Sequence, residues 1–303
     1  MSFPLISGAI DIHVHAAPSL FERWGDAWEL AEECANAGMG GFVLKSHRMS
    51  TVETAAVLAP RFPQLQIFGG LALNGFVGGI NPIAVDAQLK LGARIIWLPT
   101  LHAAHHEERC GCLGGFSFQA AKHGTASQDL ASEETGPEVT PLRVINEKGA
   151  LTPQTREVIH LMHQKPAALA SGHVSFEEIR AIQRYVKAER LDIRLLVNHV
   201  QFTTPKLDLA QLRELTNAWT WFETVQLCIA PMVACATPTE IAAQIGAVPE
   251  ARWIVATDSG QKQNKRCPEA LSDFASALLE AGVARERLAR MMRAEPIAVI
   301  GAA

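Results

Sequence analysis

The chain lacks any apolar run approaching the ~18 continuous residues that a membrane span requires, so no membrane partner is expected. It has no basic excess either. Lys and Arg total 27 against 31 Asp and Glu, a net charge of −4 with no basic stripe, which argues against a nucleic-acid partner and for a small-molecule substrate. The six cysteines contain no CxxC pair, and Cys110 and Cys112 read as loop residues rather than a zinc knuckle. No GxGxxG or phosphate-binding glycine loop stands in a strand-to-helix context, so no nucleotide cofactor is expected. The start lacks a charged n-region followed by a long apolar stretch. Together with scattered thiols, that sets the expectation of a cytoplasmic protein.

What the 303 residues do contain is an alternation of short apolar runs and amphipathic stretches of helical period. Eight runs read as strands: 9–15, 40–47, 65–73, 93–99, 167–173, 194–200, 220–227 and 252–258. A helical stretch follows each, as in "DAWELAEECANAGM", where Leu30, Ala31 and Cys34 share a face and Gly38 marks the stop. Eight βα units predict an α/β fold, a (β/α)8 TIM barrel, with residues 1–303 as a single domain. A Gly-, Ser-, His- and acid-rich stretch over 101–150 reads as a long insertion after strand four, an active-site loop.

In such barrels the chemistry sits at the C-terminal ends of the strands. Strand one ends in "DIHVH". Residues two apart share a strand face, which puts His13 and His15 together at the mouth with Asp11 on the same side below them. Alone, His-x-His is a weak signal in a chain of eleven histidines. Three further strands end in a ligand type, however: His173 in "ASGHVS", His199 in "VNHV" and Asp258 in "ATDSG". Neutral imidazole and carboxylate in this combination suit a divalent transition metal.

With those motifs the chain resembles the metal-dependent amidohydrolase superfamily. "GGLALNGFVGGINP" and "ATDSGQ" are similar to an uncharacterised branch of it, although the usual Asn-Pro of the last helix is here Glu295-Pro296. The resemblance implies that His13, His15 and Asp258 bind one metal and that Asp258 also accepts a proton from bound water. It implies that His173 and His199 complete a second metal site or polarise the substrate. It further implies a zinc cofactor, one or two ions, with manganese, iron or nickel as alternatives. Two-metal members carry a carboxylated lysine on strand four, but strand four here ends in Thr100. Lys45, ending strand two in "VLKSH", is the candidate instead, either carbamylated as a metal bridge or cationic against a substrate anion.

His47, Asn74 and Gln261 are placed as substrate contacts, with Ser259 at the rim. Glu223, a charge inside strand seven, reads as a partner of a ligand. His102, His105 and His106 either hang over the pocket or are solvated, and His160 and His163 fall on an outer helix with no catalytic role. The implied activity is hydrolysis of an amide, lactone or ester of a small molecule. Single-metal relatives make a decarboxylase the main alternative. A phosphoesterase family that also begins "DxHxH" ranks lower, since its last motif offers Asp-x-His where this chain has Asp258-Ser259-Gly260. A barrel that binds without turnover is a further rival, and a homo-oligomer is expected.

Overall fold

The computed structural model describes residues 3–116 and 139–302. Eight parallel strands pair in sequence order: β1 (Ile10–His15), β2 (Gly41–Lys45), β3 (Gln66–Ala72), β4 (Ile95–Trp97), β5 (Ala168–Ala170), β6 (Arg194–Val197), β7 (Thr220–Val225) and β8 (Arg252–Ala256). Closure comes just beyond the last strand. Asp258 N–H donates to the His13 carbonyl at 2.8 Å and His15 N–H to the Ser259 carbonyl at 2.9 Å. Each of the eight expected runs contains one of these strands, and the fold is a (β/α)8 barrel.

The strands read as near-continuous apolar runs because both faces are covered. Ile10, Val43, Ile95, Trp97, Leu196 and Ile254 fill the interior, while Phe42, Leu44, Ile96, Leu195, Phe222 and Val255 pack outward under the helices. The helices begin on local signals. Asp26 with Glu29, Ser175 with Glu178, Asp208 with Gln211 and Thr237 with Glu240 form reciprocal capping boxes. Such caps contribute about 1 kcal/mol each. No described helix is long and apolar enough to cross a membrane.

The expectation that Asp11 faces the same way as His13 and His15 is not met. The β1–β2 register shifts between Asp11 and Val14, so one extra residue is accommodated in β1. Ile10 and Ile12 point into the barrel below this irregularity, while Val14 packs outward above it. Inward alternation therefore restarts at His13. Asp11 is turned to the opposite face and fully buried. Its carboxylate accepts from the Thr257 hydroxyl at 2.5 Å, the Cys267 thiol at 3.3 Å, and the His13 and Thr257 amides at 3.0 and 3.2 Å. It ties β1 to the segment after β8 and to the helix Cys267–Glu280.

The stretch expected as a loop after strand four contains a helix, Ala104–Cys110, anchored where Ala104 N–H donates to the Leu142 carbonyl at 2.9 Å. Its sequence, "AHHEERC", carries no apolar period, so tertiary contact rather than amphipathicity defines it. Residues 117–138 of the expected insertion lie outside the described residues. At the other end of the barrel, buried Glu295 accepts from Trp221 Nε1, Arg252 Nε and Arg290 Nε, each at 2.9 Å.

Candidate metal centre

The mouth of the barrel collects imidazoles from three elements and a carboxylate from a fourth. β1 delivers His13 and His15. The turns after β5 and β6 deliver His173 and His199, and the turn after β8 delivers Asp258. Two of these residues have backbone that L-residues seldom adopt: φ is 27° at His199 and 51° at Asp258. Gly260 follows with φ 120°, and a Cβ there would lie 2.1 Å from the His15 carbonyl oxygen. The glycine lets the chain pass against β1 and aim Asp258 inward.

His13 Nε2 and His15 Nε2 converge on Asp258 Oδ1, at 3.2 and 3.1 Å. Among the described residues these three form a group whose ligand atoms all lie within 4.8 Å of one another. Lys45 Nζ stands beside them, 2.8 Å from His13 Nε2 and 5.4 Å from the centre of the Trp97 ring. Burial pushes the Lys45 amine down to about 8. Burial also disfavours charge on Asp258, but His13 and His15 outweigh it and hold its carboxyl well below the usual carboxylate range.

The His13 ring is oriented from behind. Glu223, fully buried on β7, meets His13 Nδ1 with both oxygens, at 3.1 and 3.0 Å. The same carboxylate accepts from Asn198 Nδ2 and from the His199 amide, both at 3.0 Å. With Nδ1–H donated to Glu223, the Nε2 lone pair of neutral His13 faces the mouth. Burial presses His13 toward that neutral form, yet Asp258 and Glu223 prevail and hold its pKa up at about 9. The other imidazoles go the opposite way: burial takes His15 down to about 3 and His199 to about 4, and His173 well below its ordinary value.

His173 is oriented by a residue that the sequence left undecided. His106 Nε2 donates to the Gly115 carbonyl at 2.8 Å, which leaves His106 Nδ1 as an acceptor for His173 Nδ1–H, also at 2.8 Å. The tautomer assigned by this network presents the His173 Nε2 lone pair to the pocket. His47 stacks on His15 with ring centres 4.9 Å apart, and its Nδ1 lies 2.9 Å from Thr100 Oγ1. His15 Nδ1 and His199 Nδ1 are buried without a hydrogen-bond partner. Two imidazole nitrogens converging on one carboxylate oxygen, with His199 Nδ1 buried and unpartnered nearby, fit a divalent cation.

A pocket opens over this group. His15, His47, His173, Asp258 and Gln261 line it, with Arg23 and a wall of Phe21, Phe116, Phe202, Leu227, Met232 and Val233. Gln261 Nε2 donates to the Asp258 carbonyl at 2.7 Å, so its placement at the rim is fixed from within. Asn74 is not there. It is fully buried, its Nδ2 donating to the His47 carbonyl and Thr100 Oγ1 and its Oδ1 accepting the Thr100 and His102 amides. Its amide is consumed in joining the ends of β2, β3 and β4, which leaves nothing for a substrate. His160, on its outer helix, meets Tyr185 at 2.9 Å, far from the mouth. Arg23 had no signal in the sequence, because it lies in an irregular segment where spacing carries no direction.

Comparison with known proteins gives the same architecture. No curated protein matches the chain in sequence. Among solved structures, an amidohydrolase from Pseudomonas aeruginosa aligns over 98% of this chain and 97% of its own, with a TM-score of 0.56 at 12% identity. A 2,6-dihydroxybenzoate decarboxylase complexed with 2,6-dihydroxybenzoate aligns over 96% and 98%, at 0.53 and 11%. A dipeptidase described as a metallopeptidase aligns over 97% and 100%, at 0.53 and 10%. At such identities the likeness is one of fold, that of the amidohydrolase barrel. Residues 8–223 match the model described as "Family of unknown function (DUF6282)", and the chain belongs to that family.

Proposed function

We propose that this protein is a metal-dependent hydrolase acting on an amide, lactone or ester bond of a small molecule. The observation that carries the reading is the convergence of His13 Nε2 and His15 Nε2 on Asp258 Oδ1, with Glu223 fixing His13 from behind. A divalent ion held there, zinc foremost and manganese, iron or nickel by the same donors, would supply Lewis acidity and bring a water's pKa to roughly 7. Asp258, ionised across neutral pH, would be the proton acceptor of the site. His173 turns an unprotonated nitrogen toward the pocket, which suits a further metal ligand or a proton acceptor, and the His199 ring stands beside it with centres 5.1 Å apart. Gln261 and His47 border that pocket.

A second reading is favoured by one specific observation. Lys45 and Arg23 bring two cations to the same mouth, which suits a substrate carboxylate and hence a single-metal decarboxylase. Lys45 decides the metal count, since as a carbamate it would bridge a second ion and as an amine it remains against His13.

The test is elemental analysis of protein purified without added metal or chelator, with intact mass recorded under non-acidic conditions. A single ion and an unmodified Lys45 are expected, and Asp258→Asn should abolish both the bound ion and turnover. Two ions with a mass gain of one carbon dioxide would establish the bridged form. Absence of any ion after reconstitution with zinc, manganese and iron overturns the proposal.

A further inference from the structure

We propose that Arg23 is the anion-binding residue of this pocket, and that its substrate is a small carboxylate with an apolar, ring-sized body. The inference deepens the hydrolase or decarboxylase reading by naming what the same site holds, and it rests on that reading only for the position of the reacting bond.

The first observation is a half-buried cation with no hydrogen-bonded counter-ion, the Asp258 charge acting on it only from a distance. Arg23 Nε is buried and has no hydrogen-bond partner, and no carboxylate among the described residues lies within ion-pairing distance of this guanidinium. Other arginines are met by acceptors: Arg94 and Arg194 donate to backbone carbonyls. Arg252 and Arg290 share Glu295, Arg143 is on Glu108, Arg180 on Glu214 and Arg266 on Glu33. A guanidinium does not shed its proton at neutral pH, and holding one away from water without a hydrogen-bonded anion is unfavourable. Burial lowers the Arg23 pKa only to about 10, which leaves it charged.

The second observation is where this cation is held. Arg23 and Gln261 form an antiparallel bridge, so the Arg23 backbone is tied to the turn that carries Asp258. Asp258 itself is taken by His13 and His15. The remaining boundary of the pocket is apolar, with the Phe21 ring centre 5.6 Å from the Arg23 guanidinium carbon and Phe116, Phe202 and Leu227 beyond. An arginine fork matches a planar carboxylate with two parallel hydrogen bonds. Inorganic phosphate shares the charge but not the apolar body, and nothing in the aromatic wall would solvate its remaining oxygens.

The experiment is calorimetric titration of zinc-reconstituted protein with benzoate, its neutral isostere benzamide, and inorganic phosphate. Zinc content is measured on the same samples. Benzoate should bind about 30-fold or more tightly than benzamide, because an unpaired charge is left when the anion is removed. Arg23→Gln should lose that preference with zinc content unchanged, and Arg23→Lys should recover part of it. Equal binding of benzoate and benzamide to the wild-type protein overturns the inference without recourse to any variant. So does benzoate affinity unaltered in Arg23→Gln, or Arg23-dependent binding of phosphate in place of benzoate. Zinc absent from the wild-type protein would instead sink the metal-site reading, so the two failures are separable.

Discussion

Glu223 grips His13 from behind with both carboxylate oxygens, at 3.1 and 3.0 Å from Nδ1, inside a site where neither residue is exposed. This contact sets which nitrogen of His13 faces the mouth. Glu223→Gln preserves shape but removes the charge that favours Nδ1–H donation. Zinc affinity, read by competition with a chromophoric chelator, should fall about 10- to 100-fold with little change in folding. An unchanged affinity would show that something else sets the tautomer.

Asp11 serves the fold rather than the ligand set. Asp11→Ala strips acceptors from the Thr257 hydroxyl and from two buried amides, and should destabilise the protein by about 3 kcal/mol. Asp11→Asn keeps one carbonyl oxygen and should lose less. Urea denaturation midpoints of the two variants give the comparison. Equal midpoints for wild type and Asp11→Ala would contradict the role assigned to this carboxylate.

Glu295 gathers Trp221, Arg252 and Arg290 at the end of the barrel remote from the mouth. Glu295→Ala leaves the buried Trp221 N–H without an acceptor and should cost about 2 to 3 kcal/mol. Zinc content per folded chain should stay at the wild-type level. Loss of zinc from folded Glu295→Ala protein would mean that the two ends are coupled.

How far the fold was legible follows from what each residue type can signal. The strands were readable because parallel strands buried on both faces leave contiguous apolar runs. The runs were drawn too long where ligands begin: "ASGH" and "VNHV" keep an apolar look after the ladder has ended at Ala170 and Val197. Glu223 was readable as an acid inside such a run, an expensive placement unless it has a partner. Asp11 was misplaced because a one-residue irregularity leaves no trace in an alternating pattern, and Asn74 because a turn amide has the same look whether it binds backbone or substrate. His106 and Arg23 depended on tertiary placement alone. Which histidines share one centre was a matter of backbone direction at His199 and Asp258, where φ is positive and no pattern announces it.

The irregularity in β1 has a consequence for how this barrel tolerates change. Below it, the strand obeys the packing demands of Ile10 and Ile12; above it, His13 and His15 turn to the mouth beside Asp258. Because the phase of the strand resets between them, substitutions that repack the lower layer do not rotate the imidazoles. Deleting Ile12 would remove the extra residue and restore strict alternation, with His13 and His15 still on the inward side. The extra residue is thus a spacer in the lower layer: without it the imidazoles would keep their side of the strand, and the interior would lose one apolar side chain.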